Sequence, residues 1–202
     1  MGKAAVAWAW MLWLVTSSVQ AQTCTVEEPI APDNLFPSVR ITTSLGEVVV
    51  ELDRRRAPIT VNNFLQYVQA KTYDGTLFHR VVPGFVVQGG GYDSEFNERG
   101  EFEPIYNESG NGLANNVQTI AMARYNDPHT ATNQFFFNLN DNDSLNPNRR
   151  SWGYAVFGYV TEGWDVVEKI AAVETAFSTQ LDAADVPVEA VMIESVTLIE
   201  GP

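Results

Sequence analysis

The sequence predicts a mainly β fold: a closed eight-stranded antiparallel barrel capped by two α-helices. Its apolar runs are short and rich in β-branched residues, and Gly, Asn, Asp and Pro separate them at close intervals. Only two stretches carry a helical apolar period, and strands and helices do not alternate as a parallel βαβ sheet requires. A closed barrel whose ends the helices plug satisfies this pattern.

The elements follow in order. Val39–Thr43 alternates, Ser44-Leu45-Gly46 turns, and Val48–Leu52 returns, the pattern of a β-hairpin. Pro58 suits the first turn of a helix. Val61, Phe64, Leu65 and Val68 then recur on one helical face. Further strands are expected at Leu77–Val82, Phe85–Gln88, Thr119–Ala123, Gln134–Asn138 and Tyr154–Val160, with long polar loops at 91–117 and 139–153. A second helix fits Trp164–Val173, with Val166, Val167 and Ile170 inward. A polar, acidic loop precedes a last strand at Val191–Glu200.

The N-terminus has its own organisation. Lys3 supplies a positive charge, Ala4–Val15 is apolar, and Thr16–Ala21 is small and polar, the order of a cleavable signal peptide spanning 1–21. An apolar run of about 12 residues is short for a membrane span of about 20. Residues 22–37, with Pro29, Pro32 and Pro37, read as a flexible lead-in to a domain at 38–202. Cys24 is the only cysteine, which rules out an intrachain disulfide. Lipid attachment there is disfavoured because Gln22 and Thr23 fit poorly before an acylated cysteine. The net charge of −13 argues against nucleic acid as a partner, since phosphate neutralisation needs a basic surplus. No acidic group has Ca²⁺-loop spacing, and the glycines at 89–91 lack the Lys-Ser/Thr of a phosphate cradle. Asn107-Glu108-Ser109 and Asn142-Asp143-Ser144 match glycosylation sequons.

Phe78-His79-Arg80-Val81-Val82-Pro83-Gly84-Phe85-Val86-Val87-Gln88-Gly89-Gly90-Gly91 resembles the signature of the cyclophilins. Thr119–Arg124, Asn133–Phe137 and Tyr154–Gly158 follow in that family's order and approximate spacing, so the resemblance runs from Val39 to Ile199. Loop patterns such as Asn107-Glu108 and Asn111-Gly112-Leu113 look most like the bacterial periplasmic branch. The resemblance implies a peptidyl-prolyl cis–trans isomerase that needs no cofactor or metal, acts on proline-containing polypeptides and helps exported proteins fold. A monomer in the periplasm is expected, with secretion as the alternative and no stable membrane insertion once the leader is removed.

The chemistry fits such residues. Rotation about an X–Pro bond faces a barrier of roughly 18–20 kcal/mol, because the imide nitrogen shares its lone pair with the carbonyl. At the twisted transition state that lone pair localises and can accept a hydrogen bond, so a fixed cationic donor favours twisting. The resemblance gives that role to Arg80. It gives Phe85, Met122, Phe135 and Leu145 an apolar pocket for the proline ring, and Gln88 a hydrogen bond to the substrate backbone. Ala123, Arg124, Gln134 and Tyr154 complete the substrate-binding set, with Arg124 where relatives often have Asn and Tyr154 where many eukaryotic members have His. Since neighbouring strand residues face opposite ways, Phe135 and Phe137 are expected on one face and Phe136 in the core between barrel and helix. Ser144 stands where eukaryotic members place a tryptophan associated with tight cyclosporin binding, and Val86 replaces a common Met. Weak inhibition by that drug is therefore expected. His79 is expected to be packed or hydrogen-bonded, because the isomerase mechanism needs no base. A peptide-binding chaperone and a hydrolase using His79 are the rival functions.

Overall fold

The computed structural model describes residues 29–199; the expected leader, its cleavage point and Cys24 lie outside them. Among the described residues eleven strands form, nine of them in one sheet. The hairpin β1 (Ser38–Thr43) and β2 (Gly46–Leu52) buries Val39, Ile41, Val48, Val50 and Leu52 on its inner face. Gly46 sits at φ +135°, and a Cβ there would lie 2.8 Å from Val166, so the turn packs directly beneath the second helix.

Helix α1 (Pro58–Gln69) opens on Pro58 with no side-chain cap of its own. The carboxylate of Glu108, on the long loop, supplies one instead. It accepts from the Ile59 N–H at 3.1 Å, and from the Thr60 N–H and Thr60 hydroxyl at 2.7 Å each. Val61, Phe64, Leu65 and Val68 enter the core as the helical period requires. Phe64 meets Tyr73, Phe135 and Phe157 at ring-centroid distances of 5.0, 5.6 and 5.3 Å.

The expected strand at Leu77–Val82 divides into β3 (Thr76–Leu77) and β4 (Arg80–Val82), which is why nine strands replace eight in the main sheet. β5 (Val86–Gly89), β6 (Thr119–Met122), β7 (Phe135–Asn138), β8 (Val156–Glu162) and β11 (Met192–Ile199) complete it, in the order β3-β11-β1-β2-β8-β6-β7-β5-β4. All described pairings are antiparallel. The two edges, β3 and β4, are joined by Phe78 and His79 alone, so the sheet must curl until its edges nearly meet. Closure comes from the chain itself rather than from a ladder between β3 and β4. Helix α2 (Trp164–Ala171) ends two residues before the expected boundary and buries Val166, Val167 and Ile170. The stretch expected as an acidic loop instead holds a second, two-stranded sheet, β9 (Thr175–Ser178) and β10 (Ala183–Pro187). Asp182 and Asp185 there adopt left-handed backbone, which Asp tolerates better than most residues.

Candidate active site

Register across five strands builds the site. Arg80 on β4 faces Gln88 on β5, Gln88 faces Phe136 on β7, and Phe136 faces Ala121 on β6. Ala121 in turn faces Val156 on β8. Directly paired residues share a face, so these side chains form one row on the outside of the curled sheet. Val86, Ala121, Phe136 and Val156 pack there as a small apolar cluster, joined by Phe85, Leu113, Ala123, Leu145 and Tyr154. The cluster floors an open cavity of about 310 Å³ lined by Arg80, Phe85, Val86, Gln88, Ala123, Arg124, Phe136, Leu145 and Tyr154. A second cavity of about 220 Å³ shares Gln88, Ala123 and Arg124 with the first and adds Tyr125, Thr130, Thr132 and Gln134.

A chain of hydrogen bonds aims the cation. Gln134 Oε1 accepts from Gln88 Nε2 at 2.9 Å, and Gln88 Oε1 accepts from Arg80 Nη1 at 3.4 Å. Arg80 therefore stands at the cavity mouth, half-buried, and forms no salt bridge among the described residues. Arg124 lies over the Tyr154 ring, 4.6 Å from its centroid, and donates from Nε to the Gly153 carbonyl at 3.0 Å. This fixes one side wall.

Phe135 and Met122 do not reach this cavity. Both are almost wholly buried on the inner face, where Phe135 stacks edge-on against Phe64, Tyr73 and Phe137. The pocket wall expected from Phe135 is supplied by Phe136, whose expected place in the inner core is corrected by the same register. Arg80 and Gln88 share a row with the middle phenylalanine of the three, so it is Phe136 that turns outward.

An asparagine network lies behind the cavity, and no motif announces it, because Asn115, Asn138 and Asn142 lie in or beside stretches that read as solvated loop. All three are buried. Asn142 Nδ2 donates to the Phe85 carbonyl at 2.9 Å and to Asn138 Oδ1 at 2.7 Å. Asn115 Nδ2 donates to the Leu145 and Tyr154 carbonyls at 3.2 Å each. The network thus ties together three residues that wall the cavity, and buried polar groups satisfied in this way hold a single geometry. The only sequence signal for it is the density of Asn in these stretches. In the sequons, Asn142 is committed to this network, and Asn107 Nδ2 donates to the Gly153 carbonyl at 3.1 Å.

His79 lies between β3 and β4, buried against the Tyr92 ring, with Nδ1 lacking a hydrogen-bond partner among the described residues. Burial, reinforced by the neighbouring Arg80 charge, pulls its pKa down to about 4. It is neutral at neutral pH and does not line the cavity. Among the described residues no cluster of His, Cys, Asp and Glu could hold a metal ion.

Residues 38–198 match the model of the cyclophilin-type peptidyl-prolyl cis-trans isomerase family. The chain belongs to that family. It is 50% identical over 165 residues to peptidyl-prolyl cis-trans isomerase cyp18 of Streptomyces antibioticus, a match covering 80% of this chain and 98% of that protein. It is 47% identical over 165 residues to peptidyl-prolyl cis-trans isomerase B of Escherichia coli, covering 80% of this chain and 99% of the relative. A crystal structure of a Cryptosporidium parvum cyclophilin superposes with a TM-score of 0.64 at 24% identity, over 83% of this chain and 99% of that one, and so shares the cyclophilin fold.

Proposed function

We propose that this cyclophilin serves the folding of exported polypeptides, with Arg80 as the hydrogen-bond donor that lowers the barrier to X–Pro rotation. Family membership makes the chain a peptidyl-prolyl cis-trans isomerase whose substrates are proline-containing polypeptides. The observation that carries the residue-level reading is the guanidinium of Arg80, braced by Gln88 at the mouth of a cavity with an apolar floor. Phe85, Phe136 and Leu145 would grip the ring while Gln88 holds the substrate backbone. Arg80 would then donate to the imide nitrogen only as it becomes pyramidal, an interaction stronger in the twisted state than in either planar one. No proton leaves the enzyme, and no nucleophile takes part.

The export reading is supported by the charged, apolar and small-residue order of 1–21, which lies ahead of the family match beginning at residue 38. Mass analysis of the native N-terminus tests it, with a start at Gln22 expected and an intact Met1 refuting it. The mechanism is tested by Arg80→Ala. Turnover of a proline tetrapeptide should fall by about a hundredfold or more, the usual loss for one positioned donor, with the unfolding curve unchanged. Undiminished turnover would overturn the role of Arg80. Ser144 is exposed beside Leu145 and supplies no aromatic edge there, which supports weak inhibition by cyclosporin.

A further inference from the structure

We propose that the tip of the loop joining Leu145 to Tyr154 binds an acidic stretch of the client polypeptide flanking the proline, an inference that rests on the isomerase reading. Leu145 and Tyr154, at the two ends of the loop, wall the proline cavity. The tip between them lines a separate open cavity of about 290 Å³, which holds Arg149, Arg150, Trp152 and Pro147 together with Ser109. A client chain leaving the proline cavity past Leu145 or Tyr154 therefore meets this tip.

Charge identifies the occupant. The chain carries −13, so a local pair of cations stands out against the field of the rest of the surface. Elsewhere on the surface the exposed cations Arg40, Arg56 and Lys169 each pair with a carboxylate of this chain, Arg55 lies over the Phe36 ring, and Lys71 stands singly without a salt bridge among the described residues. Arg149 and Arg150 are exposed and form no salt bridge among the described residues. Two adjacent guanidiniums without internal partners, in a protein with a large acidic surplus, complement carboxylates brought in by another chain.

The tip is also held ready. Asn148 Oδ1 accepts from the Arg150 and Ser151 N–H groups at 2.8 and 3.1 Å, and the Asn148 N–H donates to the Ser151 carbonyl at 2.8 Å. The Ser109 hydroxyl donates to the Trp152 carbonyl. Trp152, more than half exposed, stacks edge-on against His129 at 5.0 Å, and His129 does the same against Tyr106 at 5.3 Å. The arginines thus project from a stiffened turn beside an exposed aromatic ledge, which lowers the ordering cost of binding.

The test compares X–Pro peptides that are identical except for a Gly-Ser or an Asp-Glu flank, placed before or after the proline, in a protease-free isomerisation assay. At low ionic strength the acidic flank on one side should raise kcat/KM by about three- to tenfold, and salt should erase the gain. Arg149→Ser with Arg150→Ser should abolish the gain and leave the neutral peptides unchanged, while Arg149→Lys with Arg150→Lys keeps most of it. Equal kcat/KM for acidic and neutral peptides in the native protein, or a preference that survives the serine variant, would overturn the proposal. Failure of the isomerase reading would show instead on the neutral peptides, as turnover indifferent to Arg80→Ala.

Discussion

Phe135 and Phe136 are adjacent on β7 and point to opposite faces of the sheet, so their alanine variants should fail in different ways. Phe135 is fully buried and makes edge-on contacts with the rings of Phe64, Tyr73, Phe78 and Phe137. Removing such a ring from a close-packed core costs about 3–5 kcal/mol, and the lost edge contacts place this site toward the upper end. Phe136 packs on a smaller cluster open to the cavity, where water can enter the space left behind, so about 2–3 kcal/mol is expected. Catalysis should reverse the order. Loss of the Phe136 wall removes about 1–3 kcal/mol of contact with the proline ring, a ten- to hundredfold fall in kcat/KM. Phe135→Ala should keep kcat/KM within about threefold under conditions where it is folded. Urea unfolding and a protease-free assay at low temperature measure both quantities. A Phe135→Ala protein that is folded but inactive, beside an active Phe136→Ala, would refute the assignment of faces.

Other consequences can be checked independently. His79 has a folded-state pKa of about 4, below its ordinary 6.5, so its contribution to stability is full above 6.5 and is lost as pH falls toward 4. That amounts to about 2 kcal/mol between pH 7 and pH 5, and denaturant titrations should show the loss in the native protein but not in His79→Gln. Gln134→Ala removes the acceptor that steadies Gln88, and kcat/KM should fall by about three- to tenfold; Gln134→Glu, which keeps an acceptor oxygen, should restore most of it. Gly153 has φ +68°, and a Cβ there would lie 2.5 Å from Pro147 N. Gly153→Ala should therefore cost about 1–3 kcal/mol in urea unfolding and raise KM by spreading the loop between Leu145 and Tyr154.

Much of this architecture was legible because burial imposes periodicity. Val39 and Ile41 against Val48 and Val50, and the stripe Val61, Phe64, Leu65 and Val68, announce their elements without help from distant parts of the chain. The signature around Arg80, Phe85 and Gln88 likewise named residues that converge on one cavity. What stayed hidden depends on register between strands distant in sequence. Alternation says that Phe135 and Phe137 agree and that Phe136 opposes them, but only the pairing of Gln88 with Phe136 says which side faces the cavity. The hairpin of β9 and β10 carries no clear signal because its strands are short and β10 is interrupted by Asp185, with pairing shifted between Ala183 and Val186. The asparagine network looked like ordinary loop composition, since a buried Asn and a solvated one are the same letter.

The position of β11 governs when the molecule can form at all. This last strand lies between β1 and β3, so that Ser38 pairs with Ile199 and Thr76 with Ile193. Until Met192–Ile199 has emerged from the ribosome, β1 lacks its outer neighbour and β3 lacks a partner. Until then the growing chain carries two unpaired edges, the arrangement most open to pairing with other chains. Contacts between strands as distant in sequence as β1 and β11 also put folding at the slow end of the range for domains of this size, because the whole intervening stretch must close first. Trimming β11 would remove the seam along which the sheet completes itself, so a truncated protein should accumulate as aggregate rather than as a smaller enzyme.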